Sequence, residues 1–217
     1  YGPGGLASLS LRGTGASQVA EPDPSQFSFA RAIADLEAVR EATEVEQWTF
    51  VVHSWGGSLA LADAAVYPDN GTNLVLVSPG GAEPSFFATY QQNLFTNMPA
   101  EARNELMQLQ PVDQTLAAMS ETVRQANKLF ATAMVATEEH VNDLQAIMEE
   151  GSYAPMVGLM AQQHLAQFDL RGDLEYYAAP VTIIAGAKDA IGPAALDGMQ
   201  EAMPQSRRVK LEGVWHW

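Results

Sequence analysis

Cysteine is absent from this chain of 217 residues. Without thiols a protein forms no disulfide bond, uses no thiolate nucleophile and holds no zinc through cysteine ligands. The sequence also lacks an apolar run of the roughly 18 residues that are needed to cross a bilayer. Its first residues, Tyr1–Gly5, include neither the basic segment nor the apolar core of a signal peptide. We therefore expect a cytoplasmic protein that does not bind membranes.

Positive charge is also scarce. The chain has 11 lysines and arginines against 26 aspartates and glutamates, which makes the formal net charge -15 at pH 7. Such a chain repels the phosphates of nucleic acids and the anionic headgroups of a membrane, so neither is an expected partner. The acidic excess fits a role in solubility. With 47% apolar and 17% charged residues, the composition is that of an ordinary globular protein.

Two parts of the chain alternate between strand and helix patterns. Short apolar runs predict strands, and apolar residues at helical spacing predict helices. The predicted strands span residues 6–11, 48–53, 73–78, 181–185 and 208–211, and the predicted helices span 27–43, 56–66 and 193–203. This alternation is typical of an α/β fold with a parallel sheet. We predict a core formed by residues 1–82 and 178–217, interrupted by a helical insertion over residues 83–177.

The clearest motif runs from Phe50 to Ala60 and reads Phe-Val-Val-His-Ser-Trp-Gly-Gly-Ser-Leu-Ala. An apolar strand, of the kind buried inside a parallel sheet, ends at Ser54, and a helix of small residues follows. This is the pattern of a nucleophile elbow, which exposes a serine hydroxyl above the sheet and places helix N–H groups behind it. Glycine is usual two positions before the serine. Val52 stands there instead, which predicts a widened or strained turn.

A serine nucleophile requires a general base, and the sequence offers four histidines. In this architecture the order along the chain is serine, acid, histidine. His216 follows the last predicted strand, where a loop can carry a base over the serine hydroxyl. His53 adjoins Ser54, and its side chain is expected to point away from the site. His140 and His164 lie within helical patterns, where solvent exposure or packing is expected. We therefore predict His216 as the base.

Asp189 is the predicted orienting acid. It follows strand 181–185 in a loop that is bounded by glycine and proline. A carboxylate there can accept from the imidazole N–H and stabilise the imidazolium, although a turn or capping role is the alternative. The backbone N–H of Trp55 is predicted to donate to the oxyanion. The loop at Tyr1–Gly5 either supplies a second donor or is only the turn into the first strand.

Serine, acid and histidine in this order, with a helical insertion between the core segments, resemble the α/β-hydrolase fold. The likeness is greatest to its proline-iminopeptidase-like branch. The segments that carry the resemblance are residues 11–17, 53–61, 74–81, 179–189 and 213–217. It implies a catalytic triad of Ser54, Asp189 and His216, a helical cap over the pocket, and no cofactor or metal. Relative to the family pattern, we expect early strands and a final helix to be missing, and Ser10 replaces a common aspartate.

The resemblance implies hydrolysis of an acyl bond through an acyl-enzyme. The bond is an ester or the amide of an N-terminal proline, and the expected substrate is a small molecule or a short peptide. Aminopeptidases of the family bind the substrate's amine with cap carboxylates, for which the candidates are Glu101, Glu105, Glu121, Glu138, Glu139, Glu149 and Glu150. Two alternatives stay open: a C–C bond hydrolase with the same triad, and a non-catalytic ligand-binding protein of the same fold.

Overall fold

A four-stranded parallel sheet forms the centre of the computed structural model, which describes residues 5–20, 23–113, 116–150 and 168–217. The strands are β1 (Trp48–His53), β2 (Gly71–Val77), β3 (Val181–Gly186) and β4 (Arg207–Leu211), and they lie side by side in that order. Every neighbouring pair is parallel, so all four strands end at the same edge of the sheet. The predicted α/β class with a parallel sheet is confirmed.

Helices connect these strands. Among the described residues they are α1 (Phe29–Ala42), α2 (Trp55–Val66), α3 (Ser85–Asn97), α4 (Ala100–Gln108), α5 (Leu116–Ala131), α6 (Glu138–Glu150), α7 (Arg171–Leu174) and α8 (Pro193–Ala202). Helix α1 begins where the Ser28 hydroxyl accepts a hydrogen bond of 3.2 Å from the N–H of Arg31. A serine at this position satisfies one of the backbone donors that a helix start leaves unpaired.

One face of the sheet carries the core. Leu74 of β2 and Ile183 of β3 are fully buried, in the same apolar cluster as Leu61 of α2 and Met199 of α8. On the opposite face, Val51 of β1 is 66% exposed. The prediction that β1 is buried throughout is therefore wrong. In the described part of the chain β1 pairs only with β2, and an apolar run does not reveal which strand takes an edge position.

Residues 6–11 form no strand, contrary to prediction. Leu6 is 88% exposed, and no backbone ladder joins this segment to the described sheet. The chain instead enters a turn in which the N–H of Thr14 donates to the carbonyl of Leu11 over 2.9 Å. Arg12 forms an ion pair with Asp35 of α1. A short apolar run becomes a strand only where a neighbouring strand satisfies its backbone groups.

All described elements between β2 and β3 are helical. Helices α3 to α6 share a second apolar cluster that includes Leu94, Met98, Met134 and Leu144. Whether the core and the insertion divide at residues 82 and 177 stays a prediction, and His164 lies outside the described residues. No helix that the structure describes combines the length and the apolar character needed to span a bilayer.

Candidate active site

Ser54 occupies a turn that few side chains tolerate. It stands between the end of β1 and the start of α2, with φ 53° and ψ -122°. Positive φ is uncommon for a residue other than glycine, and such strain persists only where the surrounding structure enforces it. Here the Ser54 N–H donates to the carbonyl of Val77 over 3.0 Å, and its carbonyl accepts from the N–H groups of Gly57 and Gly80, each over 2.9 Å. Backbone hydrogen bonds, two of them to the end of β2 and the loop after it, therefore hold the turn.

The glycines after the serine allow a close approach of helix and loop. A Cβ atom added at Gly57 would lie 2.6 Å from Cβ of Pro79, in the loop after β2. Such a contact is too short for two carbon atoms, so the position requires glycine. Val52, which was predicted to widen or strain the turn, causes no steric conflict with the start of the helix. Even a Cβ added at Gly56 would lie 3.6 Å from Cβ of Val52, which is an ordinary contact, so the valine is accommodated beside this glycine.

The structure brings the three predicted side chains together. His216 Nδ1 lies 2.8 Å from Oδ1 of Asp189, and His216 Nε2 lies 2.8 Å from Oγ of Ser54. Asp189 is 8% exposed and His216 is 3% exposed, so water is largely kept from both groups. Asp189 is 27 residues and Ser54 is 162 residues away from His216 along the chain. The ends of the parallel strands bring all three residues to one edge of the sheet.

The polarity of these hydrogen bonds follows from the chemistry of the partners. An ionised carboxylate only accepts hydrogen bonds, so Nδ1 of His216 carries the proton that is shared with Asp189. In the neutral imidazole Nε2 is then bare and accepts from the Ser54 hydroxyl. This is the tautomer that a general base requires in order to take the serine proton.

Asp189 stays ionised despite its burial. Burial raises the pKa of its carboxyl, but the hydrogen bond and the electrostatic interaction with His216 lower it, and the net pKa lies below its ordinary value of 3.8. The N–H of Ile191 also donates to Oδ1 of Asp189 over 2.9 Å. This second bond is an Asx turn, so Asp189 serves the local turn and faces the imidazole at the same time.

His53 lies against His216, whereas its side chain was predicted to point away from the site. Its Nε2 is 2.9 Å from the carbonyl oxygen of His216, and the two rings are 4.9 Å apart. The prediction assumed that successive strand residues alternate between faces. Alternation decides the face of β1 to which a side chain points, but it does not decide which distant segment lies against that face, and here that segment contains His216. No pattern in the sequence signals this contact.

Two further groups border His216. The Tyr90 ring from α3 lies 5.9 Å from the imidazole, and burial, with the negative charge of Asp189, raises the pKa of the Tyr90 phenol. From the segment between α5 and α6, the carbonyl of Met134 accepts from the N–H groups of His216 and Trp217, each over 3.1 Å. The helical insertion therefore contacts His216 directly.

Trp55 is the first residue of α2 and follows Ser54 directly. The first N–H groups of a helix have no partner within the helix, so they can donate to an anion. The indole ring of Trp55 packs edge-on against Phe29 of α1, with 5.4 Å between the centroids. This contact holds the residue at the helix start. Its role as an oxyanion donor stays a prediction, and residues 1–4 of the loop considered for the second donor lie outside the described residues.

The remaining candidates are not brought to this site. His140 is exposed on α6. Of the glutamates considered for binding an amine, Glu101, Glu105, Glu138 and Glu139 are exposed, and Glu121 pairs with Arg124. The side chains of Glu149 and Glu150 lie outside the described ones. Among the described residues, no group of three or more histidines, aspartates or glutamates is arranged to hold a metal ion.

The fold and this site define a class of protein, since an α/β sheet with a strained serine at the turn from strand to helix characterises the α/β hydrolases. A model of the alpha/beta hydrolase fold family matches residues 6–217. The chain belongs to that family.

Individual relatives are distant. A proline iminopeptidase of Elizabethkingia meningoseptica is 22% identical over 196 residues, which are 85% of this chain and 65% of that protein. The chain therefore spans just under two thirds of its relative's length. An α/β-fold hydrolase from Bacillus anthracis has a TM-score of 0.70 at 23% identity, covering 95% of this chain and 73% of the other. An esterase from Exiguobacterium antarcticum has a TM-score of 0.68 at 19% identity, covering 95% and 72%.

Proposed function

We propose that this chain carries the active site of a serine hydrolase that cleaves an acyl bond. The observation that carries the proposal is the position of His216, which lies 2.8 Å from both the Ser54 hydroxyl and the Asp189 carboxylate. A turn serine without a catalytic role has no need of a buried imidazole and a buried carboxylate in line with it. Membership of the α/β-hydrolase family supports the same conclusion.

The proposed reaction begins when Oγ of Ser54 attacks the substrate carbonyl carbon and its proton passes to Nε2 of His216. Asp189 stabilises the imidazolium through Nδ1. The negative charge on the carbonyl oxygen faces the N–H of Trp55 at the start of α2. His216 then donates its proton to the leaving alcohol or amine as the bond breaks. In the second half of the reaction the same imidazole takes a proton from water, whose oxygen attacks the acyl carbon. The bond from that carbon to Oγ of Ser54 then breaks, and the imidazolium returns the proton to Oγ.

The proposed substrate is a small ester or a short peptide with an N-terminal proline. Similarity to a proline iminopeptidase and to an esterase supports these two bond types. Helices α3 to α6, inserted between β2 and β3, are proposed to form the cap over the pocket, since Tyr90 of α3 and Met134 both approach His216. Specificity would then depend on the shape of the cap.

A fluorophosphonate probe tests the proposal, because it labels only an activated serine. We expect the full-length protein to be labelled and Ser54→Ala to abolish the labelling. Ser58→Ala is the matched control, since Ser58 is a buried serine one helical turn further along α2. A folded wild-type protein that takes up no label would contradict the proposal, and so would equal labelling of wild type and Ser54→Ala.

Two chromogenic substrates then separate the bond types. A proline naphthylamide reports an iminopeptidase, and short p-nitrophenyl esters report an esterase. Labelling without turnover of either substrate would favour a C–C bond hydrolase with the same triad. The absence of both labelling and turnover would favour a ligand-binding protein.

A further inference from the structure

Among the described residues, His53 is the one histidine near the site that the proposed reaction does not use. Its Nε2 lies 2.9 Å from the backbone carbonyl oxygen of His216. A carbonyl oxygen can only accept a hydrogen bond, so Nε2 of His53 carries a proton and donates it. His53 is therefore in the tautomer opposite to that of His216, whose Nε2 faces Ser54 without a proton.

The backbone of His216 is held from two sides. Its N–H donates to the carbonyl of Met134 over 3.1 Å, and its carbonyl accepts from His53. The Met134 contact comes from the helical insertion, whereas His53 is the last residue of β1 in the central sheet. With both backbone groups bound, the position of the imidazole relative to Oγ of Ser54 depends on the sheet and on the insertion together.

His53 and Ser54 are consecutive, and both bond to the same residue. The Ser54 hydroxyl contacts Nε2 of the His216 side chain, and the His53 side chain contacts the His216 backbone. The proposed nucleophile, Ser54, is therefore joined by one peptide bond to His53, the residue that contacts the backbone of His216. The strained turn at Ser54, with φ 53°, directs the two neighbouring side chains towards the same partner.

We propose that His53 is a positioning residue, which holds His216 in line with Ser54 through the hydrogen bond from its Nε2 to the His216 carbonyl. This inference rests on the proposed hydrolase function. A displacement of about 1 Å in a catalytic group is enough to slow a reaction severely, which is why anchoring the backbone of the base matters.

The environment of His53 suits a neutral donor. The Trp217 ring lies 4.2 Å from the imidazole of His53. Burial lowers the pKa of His53 below its ordinary value of 6.5, the His216 charge lowers it further, and the hydrogen bond to the His216 carbonyl and the Asp189 charge oppose the shift. A neutral His53 adds no positive charge beside His216.

Three variants of the full-length protein test the proposal. His53→Leu removes the donor. His53→Gln keeps an N–H donor at nearly the reach of Nε2, and His53→Asn places its donor one methylene short. The readouts are the rate of fluorophosphonate labelling, the kcat and KM for the best substrate, and hydrogen exchange in the segment that contains His216.

We expect His53→Leu and His53→Asn to slow labelling and kcat by about tenfold, the factor that corresponds to the loss of one hydrogen bond. KM should change little, and His53→Gln should recover most of the rate. Exchange around His216 should quicken in the first two variants and slow again in His53→Gln. Glutamine and asparagine differ by one methylene, so their comparison remains informative if the leucine variant does not fold.

Labelling by His53→Leu at the wild-type rate would overturn the inference, as would equal loss in His53→Gln and His53→Asn. These outcomes are distinct from failure of the proposed function, which appears as an unlabelled wild type or a labelled Ser54→Ala. If the proposed function fails in this way, hydrogen exchange alone tests whether His53 holds the backbone of His216. Unchanged exchange around His216 in His53→Leu would then refute it.

Discussion

Asp63 gives the sharpest prediction about stability. This carboxyl lies on α2, is 2% exposed, and its Oδ1 accepts no hydrogen bond from the described residues. Burial and, to a smaller extent, the negative charge of Glu37 outweigh the opposing charge of Arg40, and the net effect raises its pKa from 3.8 to about 7. A carboxyl in this position is more stable in its neutral form, because ionisation without a partner in an apolar environment is costly.

The sign and the magnitude follow from that shift. The folded protein holds the proton more tightly than the unfolded chain, so stability from this group is complete below pH 3.8 and is lost as the pH rises to about 7. At about 1.36 kcal/mol for each pKa unit, the loss amounts to about 4 kcal/mol. Asparagine has the same shape and no charge. Near pH 4, Asp63→Asn and the wild type should therefore unfold at similar denaturant concentrations. Near pH 8 the variant should be more stable than the wild type by up to about 4 kcal/mol.

The assay is urea unfolding, followed by tryptophan fluorescence, at several values between about pH 4 and pH 8. The lowered pKa of His53 acts in the opposite direction, but it is common to both proteins and cancels in the difference. Asp69→Asn, at an exposed position just after α2, is the control and should show no such trend. A difference between Asp63→Asn and wild type that does not grow with pH would refute the reasoning.

Two further predictions concern the site and its frame. Asp189→Asn should lower kcat by on the order of 10³–10⁴-fold, because an amide no longer selects the tautomer of His216 that the base requires; full activity in a steady-state assay would contradict the role of Asp189. Gly57→Ala should destabilise the protein by about 1–3 kcal/mol, because the added methyl meets Pro79. A Cβ added at Gly198 on α8 meets open space, so Gly198→Ala should stabilise the protein by about 0.4–1 kcal/mol. Thermal unfolding measures both variants, and equal shifts of the melting temperature would disprove the close approach at Gly57.

Local chemistry made much of the architecture predictable. The apolar runs at residues 73–78 and 181–185 correspond to β2 and β3, because continuous apolar segments of this length are typical of strands in a parallel sheet. Ser54, followed by Trp55 and two glycines, predicted a tight turn from strand to helix, and the structure has it. These features depend on residues that are close together in the chain.

The failures share a different cause. Residues 6–11 have the composition of a strand, yet no strand of the described sheet pairs with them, and Val51 lies on the uncovered face of β1. His53 contacts the backbone of His216, which lies 163 residues further along the chain. In each case the outcome depends on a neighbour that is distant in sequence.

The sequence by itself determined which residues stand at the ends of the parallel strands, and therefore which serine, acid and histidine share one edge of the sheet. Only the tertiary structure decided how they meet. The distance of 2.8 Å from His216 to Ser54, the anchoring of its backbone by His53 and Met134, and the burial of Asp63 all arise from packing between elements. The position of a strand along the chain depends on local pattern, whereas distances and burial depend on contacts between residues far apart in the chain.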